Sequence, residues 1–375
     1  MAGIYIHIPF CKKACHYCNF HFSTTHHLLP KMMDTIEKEA TLRSSYINEN
    51  ISTVYFGGGT PSLIPIDNIN ALISQLKKIF SIEDDAEITL EANPDDITNA
   101  MLDGWKAAGI NRLSIGVQSF IEEDLQWMNR AHSAQQAINS IVAAQQHGFN
   151  NITIDLIYGT PTLSDEQWKE NVRIATSLNI PHLSCYALTI EEKTALNKMI
   201  IARKKENINN DTQARHFELL MEWMGNAGYE HYETSNFARP GKRSKHNSSY
   251  WQGKNYIGLG PSAHSFNGSS RQWNIANNAL YIKSIEQNRV PFEIEHLTPT
   301  QQLNEYIMTS LRTIEGLSLN YISQKFGKEK SKAIIHSSQK WVQSGHILHQ
   351  QQTLQLTSAG KLLTDKISAD LFEPG

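Results

Sequence analysis

The chain has 375 residues, 40% of them hydrophobic and 19% charged, enough to bury one large core and a smaller one. A formal net charge of -3 excludes a global positive field that would favour nucleic acid or an anionic membrane. No apolar run reaches the roughly 18 residues of a spanning helix, and the amino terminus lacks a basic region followed by a long apolar stretch, so the expectation is a cytoplasmic, non-spanning protein.

In chain order, six short strands rich in β-branched and aromatic residues are predicted at 3–9, 52–58, 87–93, 112–118, 151–159 and 182–188. Helical patterns separate them. In 134–146, Ala134, Ala137, Ile138, Ile141 and Val142 recur at helical spacing, and Gly148 follows as a stop signal. This alternation predicts parallel strands joined by right-handed crossovers. Within the strands, Ile4, Ile6 and Ile8 oppose Tyr5 and His7, and Ile88 and Leu90 oppose Thr89 and Glu91. Likewise Leu113, Ile115 and Val117 oppose Ser114 and Gln118, and Ile152, Ile154 and Leu156 oppose Thr153 and Asp155. The apolar face meets the helices. The polar face belongs in a lumen, because a closed eight-stranded barrel fills its interior with branched apolar side chains and this one cannot. The expected architecture is an α/β fold, an open partial (β/α)6 barrel. Parity in the sixth strand sends Tyr186 inward and leaves Ala187 on the other face.

Between the first two strands lie Cys11, Cys15 and Cys18, spaced C-x3-C-x2-C, three of the chain's four cysteines. Soft thiolates this close together select zinc or an iron–sulfur cluster. Zinc needs a fourth ligand, for which His16 and His21 are at hand. A four-iron cluster on three thiolates instead keeps one iron open for a substrate or cofactor. So few cysteines make no disulfide framework, which suits a reducing compartment. The fourth, Cys185, stands beside Leu183 in a predicted strand and reads as a small buried apolar residue. Other distinctive residues gather at the carboxyl ends of the strands, namely Gly57 to Thr60, Glu91, Gln118 and Asp155, on the face that carries active sites in barrels of this kind.

Further on, GLGPSA (258–263) satisfies G-x-G-x-x-A, but Pro261 interrupts it and a dinucleotide fold is not expected; His264 follows directly. From about Leu297 the pattern turns helical, with Leu303, Tyr306, Ile307, Leu311 and Ile314 at helical spacing. Helices near 318–326 and 330–344, a hairpin and a last helix complete a small, mainly helical, winged-helix-like module. Its hairpin tip, HQQQT, has no cationic cluster for phosphates, so packing or partner docking is expected rather than nucleic-acid binding.

The stretches YIHIPFC, YFGGGTPS, EANPD, LSIGVQSF, NRAH, IDLIYGTP and HNSSYW together resemble the HemN/HemW family of the radical S-adenosylmethionine superfamily, across nearly the whole chain. The resemblance implies a [4Fe-4S] cluster on Cys11, Cys15 and Cys18, with S-adenosylmethionine on the open iron. It further implies a cofactor pocket of Tyr5, Tyr17, Gly58, Gly59, Thr60, Glu91, Gln118, Arg130, Asp155 and Ala187. Glycines suit such a pocket because, lacking Cβ, they let backbone approach the cofactor's amino-acid end. Asp155 or Glu91 suits ribose hydroxyls or an ammonium, and Arg130 a carboxylate.

The family holds oxygen-independent coproporphyrinogen III oxidases and haem chaperones. The oxidases carry C-x3-C-x2-C-x-C and a long segment ahead of it; here position 20 is Phe20 and the motif begins ten residues into the chain. Both departures imply a haem chaperone that binds haem, cluster and S-adenosylmethionine and passes haem to acceptor proteins, with no catalytic residue assigned. The alternative is the oxidase reaction of porphyrin metabolism. His246 to Trp251 matches the chaperone pattern H-N-x-x-Y-W. Taken alone, that stretch reads as a basic loop leading into a core Tyr-Trp pair; with the resemblance, haem is implied, and His246 is the first candidate for its axial ligand. Arg239, Lys242, Arg243 and Lys245 supply nearby cations for propionates. The expected organisation is then a radical-SAM partial barrel over 1–190, a barrel extension with the haem-associated segment over 191–296, and a C-terminal HemN-type module over 297–375. Respiratory haem proteins are the acceptors in view, and a homodimer is the one self-association considered.

Overall fold

The computed structural model describes residues 1–374. Six parallel strands form its centre: β1 (Ala2–Ile8), β2 (Ile51–Gly58), β3 (Ile82–Ala92), β4 (Arg112–Gln118), β5 (Ile152–Tyr158) and β6 (His182–Ala187). They pair in sequential order, each with the next, as helical crossovers require. All six lie where the alternation predicts them. The largest difference is the start of β3 at Ile82 rather than Glu87, where Ile82 still pairs with Ile51 while 84–85 are exposed acids that hide the period.

Their outward residues, among them Ile4, Ile6, Leu90, Leu113 and Ile154, enter one continuous core with the helices. Capping boxes at Ser133/Gln136 and Ser164/Gln167 start two of those helices, at Ala134 and Asp165. The inward residues fall into register as rings. Tyr5, Tyr55, Thr89 and Arg112 lie side by side across four strands, and Glu91, Ser114, Thr153 and His182 across β3 to β6. The polar lumen expected from the alternation is present.

The sheet extends beyond these six. On one side β7 (Glu230–Glu233) and β8 (Asn236–Ala238) add antiparallel strands to β6. On the other, β9 (Tyr256–Leu259) runs parallel to β1, followed by β10 (His264–Phe266), β11 (Ser270–Asn274) and β12 (Phe292–His296). The twelve-stranded sheet ends at β12 and β7, which do not pair, so the barrel stays open. β12 is exposed along its whole length and carries Glu293 and Glu295, charges that discourage edge-to-edge association.

The C-terminal module has its own core, including Leu303, Ile307, Leu317, Trp341, Leu354 and Leu371. Helices Leu319–Lys325 and Lys328–Gln343 are followed by a hairpin of β14 (Ile347–Gln350) and β15 (Thr353–Leu356), with the short β13 (Leu317–Ser318) on β15. No helix among the described residues is long and apolar enough to cross a membrane.

Candidate cofactor site

The cysteine loop leaves the top of β1 and is held at both ends. Cys11 N donates to Ser23 O at 3.0 Å and Ser23 N to Pro9 O at 2.9 Å, closing the loop on itself. Its middle rests on the segment after β4, where His16 N donates to Met128 O at 3.2 Å and Asn129 Nδ2 to Ala14 O at 2.8 Å. Cys11 is buried, while Cys15 and Cys18 are half-buried. Burial pushes the Cys11 thiol up to about 11 and raises that of Cys18. Arg130 is the fixed cation here. Its Nη1 approaches Cys15 Sγ at 3.2 Å, while Nη2 donates to Asn93 Oδ1 at 2.8 Å and Gly116 O at 2.7 Å.

All three thiols open onto one cavity of about 420 Å³ at the carboxyl ends of the strands. Tyr17, Gly58, Gly59, Thr60, Glu91, Gln118, Arg130, Asp155 and Ala187 line it with them. Tyr186 and Ala187 both reach it, although their parity differs, because β6 ends there. Gln118 adopts φ 69°, a left-handed conformation that costs a non-glycine residue about 1–3 kcal/mol. It falls where the β4–β5 register slips, which turns the strand end over the cavity.

The donor chemistry fits a cluster with a charged organic ligand. Among the described residues no three His, Cys, Asp or Glu side chains surround a single metal ion. Thiolates that each take a different iron need not converge on one point. Burial raises the Glu91 carboxyl to about 8 and that of Asp155 to about 6. Two desolvated carboxylates in one cavity favour a cationic occupant. Arg130 Nε is buried there with no partner, a donor available to an anionic group.

The glycines that line the cavity have a second, steric job within the chain. A Cβ on Gly59 would stand 2.5 Å from Phe10 O and 2.8 Å from Ile8 O, and one on Gly58 2.6 Å from the His7 ring. Their bareness lets the chain's own cysteine loop lie against the end of β2. Gly59→Ala must therefore push on backbone that cannot yield. It is expected to cost about 1–3 kcal/mol and to lower cluster retention, read as the urea midpoint and as iron bound per chain.

Two of the predicted cofactor residues lie outside this cavity. Tyr5 points from β1 into a neighbouring one, its hydroxyl 3.2 Å from His7 Nδ1. His246 enters neither. It lies in the first turn of the helix Lys245–Trp251 at the opposite end of the barrel, where Glu87 accepts from its backbone N–H at 3.0 Å. Nδ1 bonds Thr53 Oγ1 at 2.8 Å, Nε2 bonds Tyr250 Oη at 2.9 Å, and the ring stacks on Tyr55 at 4.8 Å. With both nitrogens engaged, the imidazole forms the floor of the lumen and would have to give up a hydrogen bond to ligate iron. Helical spacing instead brings Tyr250 and Trp251 to the neighbouring cavity.

Burial first, and Arg112 second, lower the His246 pKa from 6.5 to about 3. A pKa lower in the folded than in the unfolded chain means that unfolding takes up a proton between those values. The neutral ring's contribution is thus present above pH 6.5 and lost as pH falls from there towards 3, by up to about 1.4 kcal/mol per unit. In His246→Gln, unfolding free energy should fall less steeply from pH 7 to pH 5 than in the parent chain. Parallel slopes would show that the ring is not held neutral.

The neighbouring cavity, about 800 Å³, lies between the β1–β9–β10–β11 face and the C-terminal module. Asn19 and Phe20 line both cavities, which adjoin there. Sequence reasoning did not anticipate this second space. The one signal for it was His264, immediately after GLGPSA.

The description Radical SAM superfamily matches residues 5–175 of the chain. The heme chaperone HemW of Bacillus subtilis is 30% identical over 371 residues, 98% of this chain and 98% of that protein. The protein of the same name from Mycobacterium tuberculosis H37Rv is 31% identical, over 99% of this chain and 94% of its own. Among solved structures, coproporphyrinogen III oxidase (HemN) from Escherichia coli superposes with a TM-score of 0.86 at 24% identity, covering 99% of this chain and 90% of that one. That likeness shows the shared fold. With 30% identity sustained over nearly its full length, the chain belongs to the HemW family of the radical SAM superfamily.

Proposed function

We propose that this protein is a haem chaperone, which holds haem, a [4Fe-4S] cluster and S-adenosylmethionine and hands haem to acceptor proteins. The observation that carries this reading is Phe20, which takes the place where the oxidases carry a further cysteine and lies where two cavities adjoin. Two full-length relatives bear the name heme chaperone. Cys11, Cys15 and Cys18 would bind three irons and leave the fourth to the methionine end of S-adenosylmethionine. When bound, the cluster supplies an electron at that open iron. Thr60 and Arg130 would orient the ligand's carboxylate, while Glu91 and Asp155 offset its positive charge. Residues 1–190 would carry this chemistry, 191–296 extend the barrel, and 297–375 dock partners. The setting we propose is cytoplasmic, with respiratory haem proteins as acceptors and a homodimer as the assembly.

The test is anaerobic. Reconstituted protein loaded with hemin should pass it to an apo-globin used as a model acceptor, at a rate above free exchange. It should yield no protoporphyrinogen when reduced with coproporphyrinogen and S-adenosylmethionine. Robust porphyrinogen turnover, or no haem uptake, overturns the reading.

A further inference from the structure

We propose that haem occupies the 800 Å³ cavity beside the cluster site, with His264 as an iron ligand and Lys254, Arg271 and Lys325 facing the propionates. The assignment rests on the haem-chaperone reading and moves the haem seat away from His246. The volume lies within the roughly 300–1,000 Å³ of cofactor pockets. Its walls supply what a flat, apolar ring with two anionic edges needs. Phe20, Trp251, Tyr256 and Tyr321 bring aromatic surface from four separate parts of the chain.

Three histidines line the space, and they differ in what they have left to give. His7 has Nδ1 on Tyr5 Oη at 3.2 Å and Nε2 on His21 O at 2.9 Å, so both nitrogens are spent. His21 has Nε2 on Asn278 Oδ1 at 2.7 Å. His264 is exposed to the cavity and its ring stacks on Trp273 at 6.2 Å; among the described residues neither of its nitrogens has a hydrogen-bond partner. It is the one of the three with both nitrogens unengaged among the described residues, whereas His21 keeps only Nδ1. The β10–β11 hairpin fixes it there, since His264, Phe266 and Arg271 share the cavity face while Ser265 and Gln272 point to the buried side.

Two of the three cations are similarly uncommitted. Among the described residues Lys254 and Lys325 have no carboxylate within ion-pair distance, and Lys325 stands over the Tyr321 and Phe326 rings at 5.5 and 5.3 Å. Arg271 pairs with Glu305 at 2.9 Å but keeps a buried Nε with no partner. Lys254 comes from the barrel extension and Lys325 from the C-terminal module, so a bound dianion would draw the two together. Release then needs only ligand exchange: the iron–His264 bond breaks as a donor of the acceptor forms its own, with no change in electron count.

Hemin titration of the full chain, followed by absorbance and by resonance Raman, tests the seat. His264→Ala should bind about tenfold more weakly or worse and lose the imidazole-ligated spectrum, which added free imidazole restores. Lys325→Glu, an exposed side chain whose exchange leaves the core untouched, should weaken binding without changing the spectrum. If the parent chain binds haem and His264→Ala keeps both affinity and spectrum, the seat is wrong and the chaperone reading survives. Failure of imidazole rescue together with unaltered Lys325→Glu affinity also overturns the seat. A parent chain that takes up no haem overturns the chaperone reading and the seat with it.

Discussion

After anaerobic reconstitution, Cys15→Ala is expected to hold iron and sulfide only at background, while Cys185→Ala keeps the parent content. Cys15 lies half-buried on the loop and belongs to none of the hydrophobic cores. Its loss should leave the fold intact and remove one of three anchors from a cluster that has no spare. Arg130 Nη1, 3.2 Å from Cys15 Sγ, would then face no anion and should hold the loop less firmly. Cys185 is the control because it is 1% exposed on the outward face of β6, in the core beside Leu183, where burial drives its thiol well above the ordinary range. S-adenosylmethionine binding should disappear with the cluster. Haem uptake should persist, since the neighbouring cavity contains none of the three thiols. A Cys15→Ala protein that retained parent levels of iron and sulfide would remove the cluster assignment.

The centre of this molecule was readable because its rules are local. Alternation at period two marked β1 to β6, told which side chains faced inward, and led to the lumen before any pairing was known. The spacing of three cysteines likewise carried its chemistry in eight residues. What escaped was set by pairing at long range. β9 lies parallel to β1 although some 250 residues separate them, and β10 and β12 are too short or too exposed to show a period. The second cavity is built from that extension and the C-terminal module, so no single window of sequence contained it. His246 shows the same limit at one residue. Its motif names the imidazole, but only the fold reveals that Thr53 and Tyr250 already hold both nitrogens. The glycines at the end of β2 were recognised as bare backbone lining a cofactor pocket, yet only the fold reveals that they also make room for Phe10 and His7.

Glu39→Ala should destabilise the chain by about 3–5 kcal/mol, as expected when one partner of a buried ion pair is removed. Glu39 is wholly buried in the helix Leu29–Leu42, and Arg43 is 6% exposed one turn later. The carboxylate accepts from Arg43 Nη1 at 3.3 Å, Gly260 N at 2.8 Å and Asn274 Nδ2 at 2.7 Å, and also from the Tyr281 hydroxyl. Arg43 in turn donates to Gly258 O at 2.9 Å and to Ser265 Oγ and Gln272 Oε1 at 3.0 Å. Removing the acid strands a charge and several donors at once, a cost that grows in a low-dielectric interior. Arg43→Met in the Glu39→Ala background should therefore cost much less than Arg43→Met alone, a non-additive cycle readable in denaturant unfolding. Additive costs would mean that the two side chains are not coupled. The network grips the buried face of β9 to β11, whose opposite face carries His264 and Arg271. Loosening it should consequently weaken haem binding more than cluster uptake, because the cysteine loop hangs mainly from β1 and the segment after β4 and meets the extension only at Leu196 and Asn278, neither of which belongs to the network.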